Sequence, residues 1–159
     1  MSIAIAVIGT GGVAWNNYLP FLSKEKDVVL TYFSRTRSKA EECAKVFGGR
    51  VVEAIDDIHA NEPDAILVLT PETQRYAVTA VLLQGKPKRL FFEKPLVAQN
   101  GQDKVCEDDF NKAADLLQRA KSSGTQTAMV FNYRFFEQTV RMRRIIDDRG
   151  FGKLIHASM

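Results

Sequence analysis

Short and nearly unbroken apolar runs recur along the chain, with segments of helical periodicity between them. The runs are SIAIAVIG, DVVLTYFSR, DAILVLTP, RLFFEKP and TAMVFN. Strands buried on both faces have this pattern, because helices cover both sides of a parallel sheet. Strands that alternate with helices predict right-handed crossovers and a doubly wound, mostly parallel α/β sheet of the Rossmann type. The expected strand order is 3-2-1-4-5-6, with helices on both faces.

Four segments have the apolar spacing of amphipathic helices: 38–47, 71–84, 108–123 and 136–147. Their predicted buried stripes are Ala40, Cys43, Ala44 and Phe47; Ala77, Val78, Val81 and Leu82; Phe110, Ala113, Ala114, Leu117 and Ala120; and Val140, Met142, Ile145 and Ile146. Ser38 and Glu41 predict a capping box for the first of these helices. Thr70 suits the cap and Pro71 the first position of the second helix. The polar stretch 99–109 interrupts the alternation and predicts a surface loop.

A glycine turn, VIGTGGVA, closes the first run and opens a helix. Gly9, Gly11 and Ala14 give the pattern G-x-G-x-x-A in the context that gives it meaning. Gly9 permits a tight turn, Gly11 lets a pyrophosphate approach the backbone, and Ala14 allows close helix packing. The predicted phosphate-binding residues are Gly9, Thr10, Gly11, Gly12 and Val13, through backbone N–H groups and the helix dipole. The structural alternative is a plain glycine-rich turn.

The end of the second run, FSRTRSK, indicates which dinucleotide fits. NAD sites usually carry an acidic residue about 20 residues beyond the glycines, where it binds the ribose hydroxyls. This chain instead has Ser34, Arg35, Thr36 and Arg37. A carboxylate would repel a 2′-phosphate, whereas a guanidinium group binds one through two hydrogen bonds. We therefore expect NADP, with NAD as the second choice, unless the two arginines are merely solvated at a helix entrance.

Residues 90–95, LFFEKP, end a buried run with an acid, a lysine and a proline. Lysine is costly to bury, and proline cannot pair within a central strand. Glu93 to Pro95 are therefore expected at the carboxyl edge of the sheet, where α/β folds bind their ligands. The alternative is a surface lysine in a turn that ends the strand.

Three further motifs join the glycine turn: LTP at 69–71, EKP at 93–95 and FNYRF at 131–135. Together they resemble the Gfo/Idh/MocA family, which includes glucose–fructose oxidoreductase and inositol dehydrogenase. The resemblance covers essentially the whole chain, but only the nucleotide-binding half of that family. It implies an NAD(P)-dependent oxidoreductase that moves a hydride between nicotinamide and a hydroxyl or carbonyl carbon. A sugar, a cyclitol or a similar small polar molecule is the implied substrate.

The resemblance also implies roles for single residues. Lys94 corresponds to an active-site lysine beside the nicotinamide, where a cation stabilises developing negative charge. Thr70 and Pro71 match a loop that borders the diphosphate and the nicotinamide ribose, and Glu93 is expected beside the cofactor. Arg134 matches an arginine near the nicotinamide or the domain junction, with a structural ion pair as the alternative.

Other features follow from the same comparison with the family. The Lys94–Pro95 bond is a candidate cis peptide, since family members often have one there. Where the family often has TPNxxH, this chain has TPETQR, so Glu72 and Arg75 replace an asparagine and a histidine. The connection at 99–109 is longer than the family's usual one.

Two domains are expected by the same resemblance. Residues 1–150 would form the dinucleotide-binding domain, and 151–159 would begin a C-terminal α/β substrate domain that is missing from this chain. The terminal KLIHASM has the pattern of a strand, which could alternatively pair with the existing sheet edge. In the family the second domain holds the acid/base histidine and usually the oligomer interface. Hence His59 is predicted at the surface, His156 receives no role, and a homo-oligomer is expected for the full-length protein.

Composition narrows the function classes further. The chain has 22 basic and 19 acidic residues, which is no argument for a nucleic-acid partner. Cys43 and Cys106 lack metal-ligand spacing and are expected to be reduced thiols in a cytoplasmic protein, so no metal is predicted. No run reaches the roughly 18–20 apolar residues of a membrane span. A dinucleotide-sensing regulatory module is the non-enzymatic alternative, and the lack of a P-loop motif argues against other adenylate-handling enzymes.

Overall fold

The computed structural model describes residues 2–150. Six parallel strands form one sheet in the order β3-β2-β1-β4-β5-β6, which confirms the predicted order. The strands are β1 (Ile3–Ile8), β2 (Val28–Phe33), β3 (Arg50–Val51), β4 (Ala65–Val68), β5 (Arg89–Phe92) and β6 (Gln126–Met129). The five apolar runs account for every strand except β3, which is too short to show a sequence period.

Six helices connect and follow these strands. They are α1 (Leu19–Leu22), α2 (Arg37–Phe47), α3 (Asp57–Ala60), α4 (Glu72–Leu82), α5 (Glu107–Ser123) and α6 (Glu137–Arg149). A π-helical turn at Ala14–Tyr18 runs directly into α1. Short 3₁₀ turns lie at Leu83–Gly85, Gln102–Lys104 and Asn132–Phe135. No helix in this part of the chain combines the length and the apolar character needed to cross a membrane.

Helices cover both faces of the sheet. Side chains alternate along each buried strand, so successive residues enter cores on opposite faces. On β1, Ala6 and Ile8 belong to one core and Val7 belongs to the other. The first core continues through β4 and β5 to α4 and α5. The second core includes Tyr32 of β2 and Ala40 of α2. The apolar runs are therefore nearly continuous because both faces of the sheet are buried, as predicted.

The predicted helix caps are wrong. Thr36, not Ser38, precedes α2, and no side chain caps that helix. Glu41 accepts a hydrogen bond from the Arg37 Nε at 2.7 Å instead of closing a capping box. Pro71 precedes α4 rather than opening it, and the Thr70 hydroxyl caps nothing. The N-cap of α2 lies two residues before Ser38, and the N-cap of α4 lies one residue after Thr70, so neither hydroxyl is at a cap position.

Three of the four predicted stripes are only partly correct. The residues of α4 that are buried are Arg75, Thr79 and Leu82, whereas Ala77, Val78 and Val81 line the cleft described below. The buried residues of α5 are Asp109, Leu116 and Ala120, while Phe110 and Leu117 are exposed. On α6, Val140, Met142 and Ile145 are exposed, because its main neighbour within residues 2–150 is the turn before it. Apolar spacing identifies a helix but not the surface that covers it.

The segment before α5 is a loop anchored by one buried carboxylate. Asp109 is 2% exposed. Its Oδ1 accepts the N–H of Gln99 at 2.8 Å, and its Oδ2 accepts the N–H of Cys106 at 3.1 Å. These hydrogen bonds hold the pKa of Asp109 below its usual value, the bond from Gln99 having the largest effect. Asp109 thus both closes the loop and caps α5.

Replacing Asp109 by Asn should make stability depend on pH less than in the wild type. A carboxyl group whose pKa is lowered on folding stabilises the protein above its unfolded pKa of about 3.9, and this contribution is lost as the pH falls further. Asp109→Asn should therefore lower the Tm near neutral pH by on the order of 5 °C, with a gap that narrows in acid. Asp108→Asn, on the exposed neighbour, is the control. A gap of constant size at every pH would contradict this role.

Candidate functional site

A cleft of about 1320 Å³ runs along the carboxyl edge of the sheet. It lies where β1 and β4 are neighbours, which is the point at which the strand order reverses. The predicted site residues that line it are Gly9, Thr10, Gly11, Gly12, Val13, Ser34, Arg35, Thr36, Thr70, Pro71, Glu93 and Lys94. The topology therefore brings together residues from the ends of four strands.

The glycines of the turn serve two different needs. Gly9 has φ +96°, and a Cβ there would lie 2.8 Å from the Thr70 nitrogen and 3.0 Å from the Leu69 carbonyl carbon. Its lack of a side chain lets the end of β1 touch the end of β4. A Cβ on Gly11 would meet nothing within 4 Å. Gly11 is thus not required by the packing of the protein itself, and it leaves space in the cleft.

Two threonines that line the cleft have hydroxyls without hydrogen-bond partners among residues 2–150. Thr10 is 5% exposed and Thr70 is 9% exposed, and each Oγ1 is buried without a protein partner. Buried polar groups in native proteins are nearly always paired. Both residues line the cleft, so a ligand rich in oxygen atoms could accept hydrogen bonds from both of them.

Cationic side chains gather where β2 ends. Arg35 and Lys39 line the cleft, and Arg37 does not. The Arg37 guanidinium pairs with Glu41 and with Glu53, on the outer side of α2. The predicted contact of Arg37 with a cofactor therefore has no support in the geometry, and Lys39 is the basic residue that the sequence reasoning missed.

Arg35 also reaches the opposite wall of the cleft. With the Gln74 amide oriented so that its oxygen faces a donor, that oxygen accepts from the two Arg35 Nη atoms at 3.1 and 3.3 Å. Gln74 belongs to α4 and Arg35 follows β2, so the pair spans two walls. The Gln74 amide thus holds a guanidinium that lines the cleft.

At the other end of the cleft, a buried arginine holds the turn after β5. Arg75 is 3% exposed. Its Nη2 donates to the Thr70 carbonyl at 2.6 Å, and its Nη1 donates to the carbonyls of Glu93 and Pro95. Burial lowers the pKa of Arg75. The sequence signal for this residue was its helical spacing with buried Thr79 and Leu82, which follow it by four and seven residues.

Tyr18 provides a second hold on the same turn. The π-helical turn ends at Tyr18, whose hydroxyl donates to the Glu93 Oε1. Burial has the largest effect in raising the pKa of Tyr18, and the hydrogen bond to Glu93 raises it further. The phenol therefore stays a donor at neutral pH. The Glu93 Oε2 accepts the Lys94 N–H at 3.2 Å. Nothing in the sequence pattern pairs Tyr18 with Glu93, because 75 residues separate them.

Lys94 itself is exposed and lines the cleft. Its Nζ donates to the Gln102 Oε1 at 3.5 Å, on the 3₁₀ turn of the loop before α5. The Lys94–Pro95 peptide bond is cis, as the family resemblance implied. The long connection thus supplies one wall beside the lysine.

Some of the predicted residues lie elsewhere. Arg134 is outside the cleft, with its guanidinium 5.7 Å from the Phe135 ring centroid, and within residues 2–150 it forms no ion pair. His59 is half-buried rather than on the surface, because its ring fills the space that a side chain at Gly85 would occupy. Residue 156 and the segment 151–159 fall outside the described residues. Across the described range, no three His, Cys, Asp or Glu side chains are grouped so as to hold a metal ion.

Comparison with known proteins identifies relatives of the whole segment. A family model described as "Oxidoreductase family, NAD-binding Rossmann fold" (GFO_IDH_MocA) matches residues 3–131. Glucose-6-phosphate 3-dehydrogenase of Bacillus subtilis is 22% identical over 153 residues, which are 95% of this chain and 40% of that protein. The chain thus spans less than half the length of this curated relative.

Solved structures show the same fold. KijD10, a 3-ketoreductase from Actinomadura kijaniata crystallised with NADP and TDP-benzene, has a TM-score of 0.76 at 23% identity, over 96% of this chain and 44% of that one. GenD2 from gentamicin A biosynthesis, crystallised with NAD, has a TM-score of 0.78 at 22% identity, over 98% of this chain and 42% of that one. These likenesses confirm the Rossmann architecture.

Alanine substitutions in the glycine turn should distinguish the glycine that the fold needs for packing from one that it does not. Gly9→Ala places a Cβ against the backbone of β4 at positive φ, so it should destabilise the fold by about 2–4 kcal/mol. Gly12→Ala is the matched control, since the nearest atom to its Cβ would be the Asn16 Nδ2 at 3.8 Å. Urea unfolding of both variants measures the difference. Equal midpoints would show that the contact between β1 and β4 is not needed.

Proposed function

Because the chain belongs to the Gfo/Idh/MocA family of oxidoreductases with an NAD-binding Rossmann fold, we propose that its cleft binds NADP, with NAD as the second choice, for dehydrogenase or reductase chemistry. The observation that carries the proposal is the cleft of about 1320 Å³ at the β1–β4 switch point. The glycine turn lies along it, with Arg35 on one wall and Lys94 at the turn after β5.

The centre of the cleft fits a diphosphate. The open space above Gly11 admits phosphate oxygens, and the Thr10 and Thr70 hydroxyls need the acceptors that a phosphate offers. Backbone N–H groups of residues 10–13, at the start of the helix, add their dipoles. Pro71 follows Thr70 and lines the same part of the cleft.

The end near β2 favours a 2′-phosphate. Arg35 and Lys39 bring positive charge, and Ser34 and Thr36 add hydroxyl donors, where NAD-specific sites usually have an acid. The contact to Gln74 fixes Arg35 before a ligand arrives, which reduces the entropy lost on binding. Solved relatives contain NADP in KijD10 and NAD in GenD2. The choice of NADP for this chain therefore depends on its own residues.

Lys94 is the residue that we assign to catalysis. The bound dinucleotide supplies the hydride chemistry. The Lys94 ammonium can donate to a substrate oxygen and stabilise the negative charge that develops as the hydride leaves or arrives. We propose a sugar, a cyclitol or a similar small polar substrate, in keeping with the names of the relatives, a glucose-6-phosphate 3-dehydrogenase and a 3-ketoreductase.

We further propose that residues 1–150 are the cofactor domain of a two-domain enzyme and that 151–159 begin its substrate domain. The matched relatives are more than twice as long as this chain. The turn before α6 also presents exposed aromatic side chains, with Tyr133 70% and Phe135 74% exposed. A further domain packed there would cover them. On this proposal the chain alone binds the cofactor with little turnover, and a homo-oligomer forms through the other domain.

A matched pair of arginine variants tests the cofactor preference. Arg35→Ala should raise the Kd for NADPH about 10–100-fold, because it removes a charged hydrogen bond. The Kd for NADH should change much less. Arg37→Ala should leave both constants unchanged, because Arg37 pairs with Glu41 and Glu53 outside the cleft. Fluorescence titration measures all four constants. Tighter binding of NADH than NADPH by the wild type would overturn the preference.

Lys94→Met tests the catalytic assignment in the protein that includes its substrate domain. We expect kcat to fall about 10²–10³-fold, as for loss of one charge-stabilising donor. The Kd for NADPH should stay nearly unchanged. Lys104→Met, at an exposed position in the neighbouring loop, is the control. Undiminished turnover in Lys94→Met would exclude this role, and a wild type that binds NADPH without any turnover would favour a dinucleotide-sensing module.

A further inference from the structure

Arg75 is a buried cation whose charge is met by main-chain carbonyls. Buried charges are usually paired with an opposite charge. Arg75 forms no ion pair within 4.0 Å among the described residues, and its guanidinium donates instead to the carbonyls of Thr70, Glu93 and Pro95. Arg75 is buried beside the cleft and not at the surface, so its charge must have a role other than keeping the protein soluble.

The contacts of Arg75 join two separate segments of the site. The Nε and Nη2 atoms face the Thr70 carbonyl, at the end of β4, at 3.2 and 2.6 Å. The Nη1 atom faces the carbonyls of Glu93 and Pro95, the former at 2.5 Å. Those two carbonyls lie immediately before and after Lys94 in the chain. One guanidinium thus holds the backbone on both sides of the lysine.

We propose that Arg75 is a positioning residue that fixes the Lys94 turn relative to the Thr70–Pro71 wall of the cofactor cleft. The inference rests on the proposed function, because it concerns the distance between the bound cofactor and Lys94. A displacement of about 1 Å at a catalytic group can cost about 100-fold in rate. A rigid link between the two loops is therefore of direct use to hydride transfer.

The neighbouring contacts agree with this role. Tyr18 holds the Glu93 side chain from the opposite wall, where the glycine turn leads into its helix. The backbone of the turn is thus attached to α4 by Arg75, and its acidic side chain is attached to Tyr18. Within this turn the Lys94 side chain is exposed, and its Nζ donates to the Gln102 Oε1 at 3.5 Å. A firmly held backbone suits a residue whose amine must stand at a set distance from the cofactor.

The fork of the guanidinium makes Arg75→Lys a diagnostic variant. A lysine keeps the positive charge, but its single ammonium cannot donate along two directions to both loops as the planar fork does. Loss of position should therefore be separable from loss of charge. Arg119→Lys is the matched control, because Arg119 also donates to a main-chain carbonyl, that of Ala80 at 3.1 Å, but does not line the cleft.

The test follows acetylation of Lys94 in the 159-residue chain by N-hydroxysuccinimidyl acetate, read by peptide mass spectrometry. Saturating NADPH should slow acetylation of Lys94 in the wild type and in Arg119→Lys. In Arg75→Lys the Kd for NADPH should stay within about 3-fold, while most of the protection at Lys94 is lost. A change in overall stability would not remove protection at saturating NADPH in a folded protein.

Arg75→Ala adds a chemical rescue. Millimolar guanidinium chloride should restore the protection of Lys94 by NADPH in this variant, and an equal concentration of sodium chloride should not. If Arg75→Ala does not fold, Arg75→Lys decides the question alone.

The outcomes separate the two proposals. Full protection of Lys94 in Arg75→Lys at saturating NADPH would overturn the positioning role and leave the cofactor site intact. Loss of NADPH binding in Arg75→Lys would also overturn it, since Arg75 would then maintain the cleft itself. A wild type that binds no NADPH, or binds it without protecting Lys94, would overturn the proposed function and this inference with it.

Discussion

The close approach of the β1 end to the β4 end, at Gly9, is the constraint on which the site depends. A side chain there would overlap the backbone of Leu69 and Thr70. The connections after β1 and β4 pack on opposite faces of the sheet, with Leu19 in one core and Leu82 in the other, so a crevice opens at the edge between them. Thr10 and Thr70, whose hydroxyls lack partners among residues 2–150, both line this crevice. The contact at Gly9 thus brings the segments that carry Thr10 and Thr70 together at the cleft.

Stability and function make opposing demands on that edge. The interior of the sheet is apolar and fully packed, with Val7, Ile66 and Leu90 at 0% exposure. At the carboxyl end, by contrast, a cation is buried among carbonyls and two threonine hydroxyls have no partner. Each of these features costs free energy in a protein without a ligand. Where such groups belong to residues that line a cleft, as Thr10 and Thr70 do, a bound ligand can supply the missing partner.

Much of this could be predicted from the sequence. The strand order, the glycine turn and the position of Lys94 at the sheet edge all follow from local patterns, because strand burial and turn chemistry act over a few residues. The choice between Arg37 and Lys39 does not follow. Both lie in the first turn of α2, and which one faces the cleft depends on how the helix is rotated against the sheet. Spacing along the chain carries no information on that rotation.

The contacts around the Lys94 turn were missed for a different reason. Tyr18 and Arg75 act on the turn after β5 from 75 and about 20 residues away, so the pairing exists only after the sheet has assembled. A sequence signal was nevertheless present on α4. Arg75 and Thr79 occupy helical positions that the fold buries, where apolar residues are the rule. A polar residue at such a position needs a partner, and in a Rossmann fold the helix that follows β4 begins at the ligand-binding edge. A charged residue on the buried face near the start of this helix, such as Arg75, therefore indicates where the site lies.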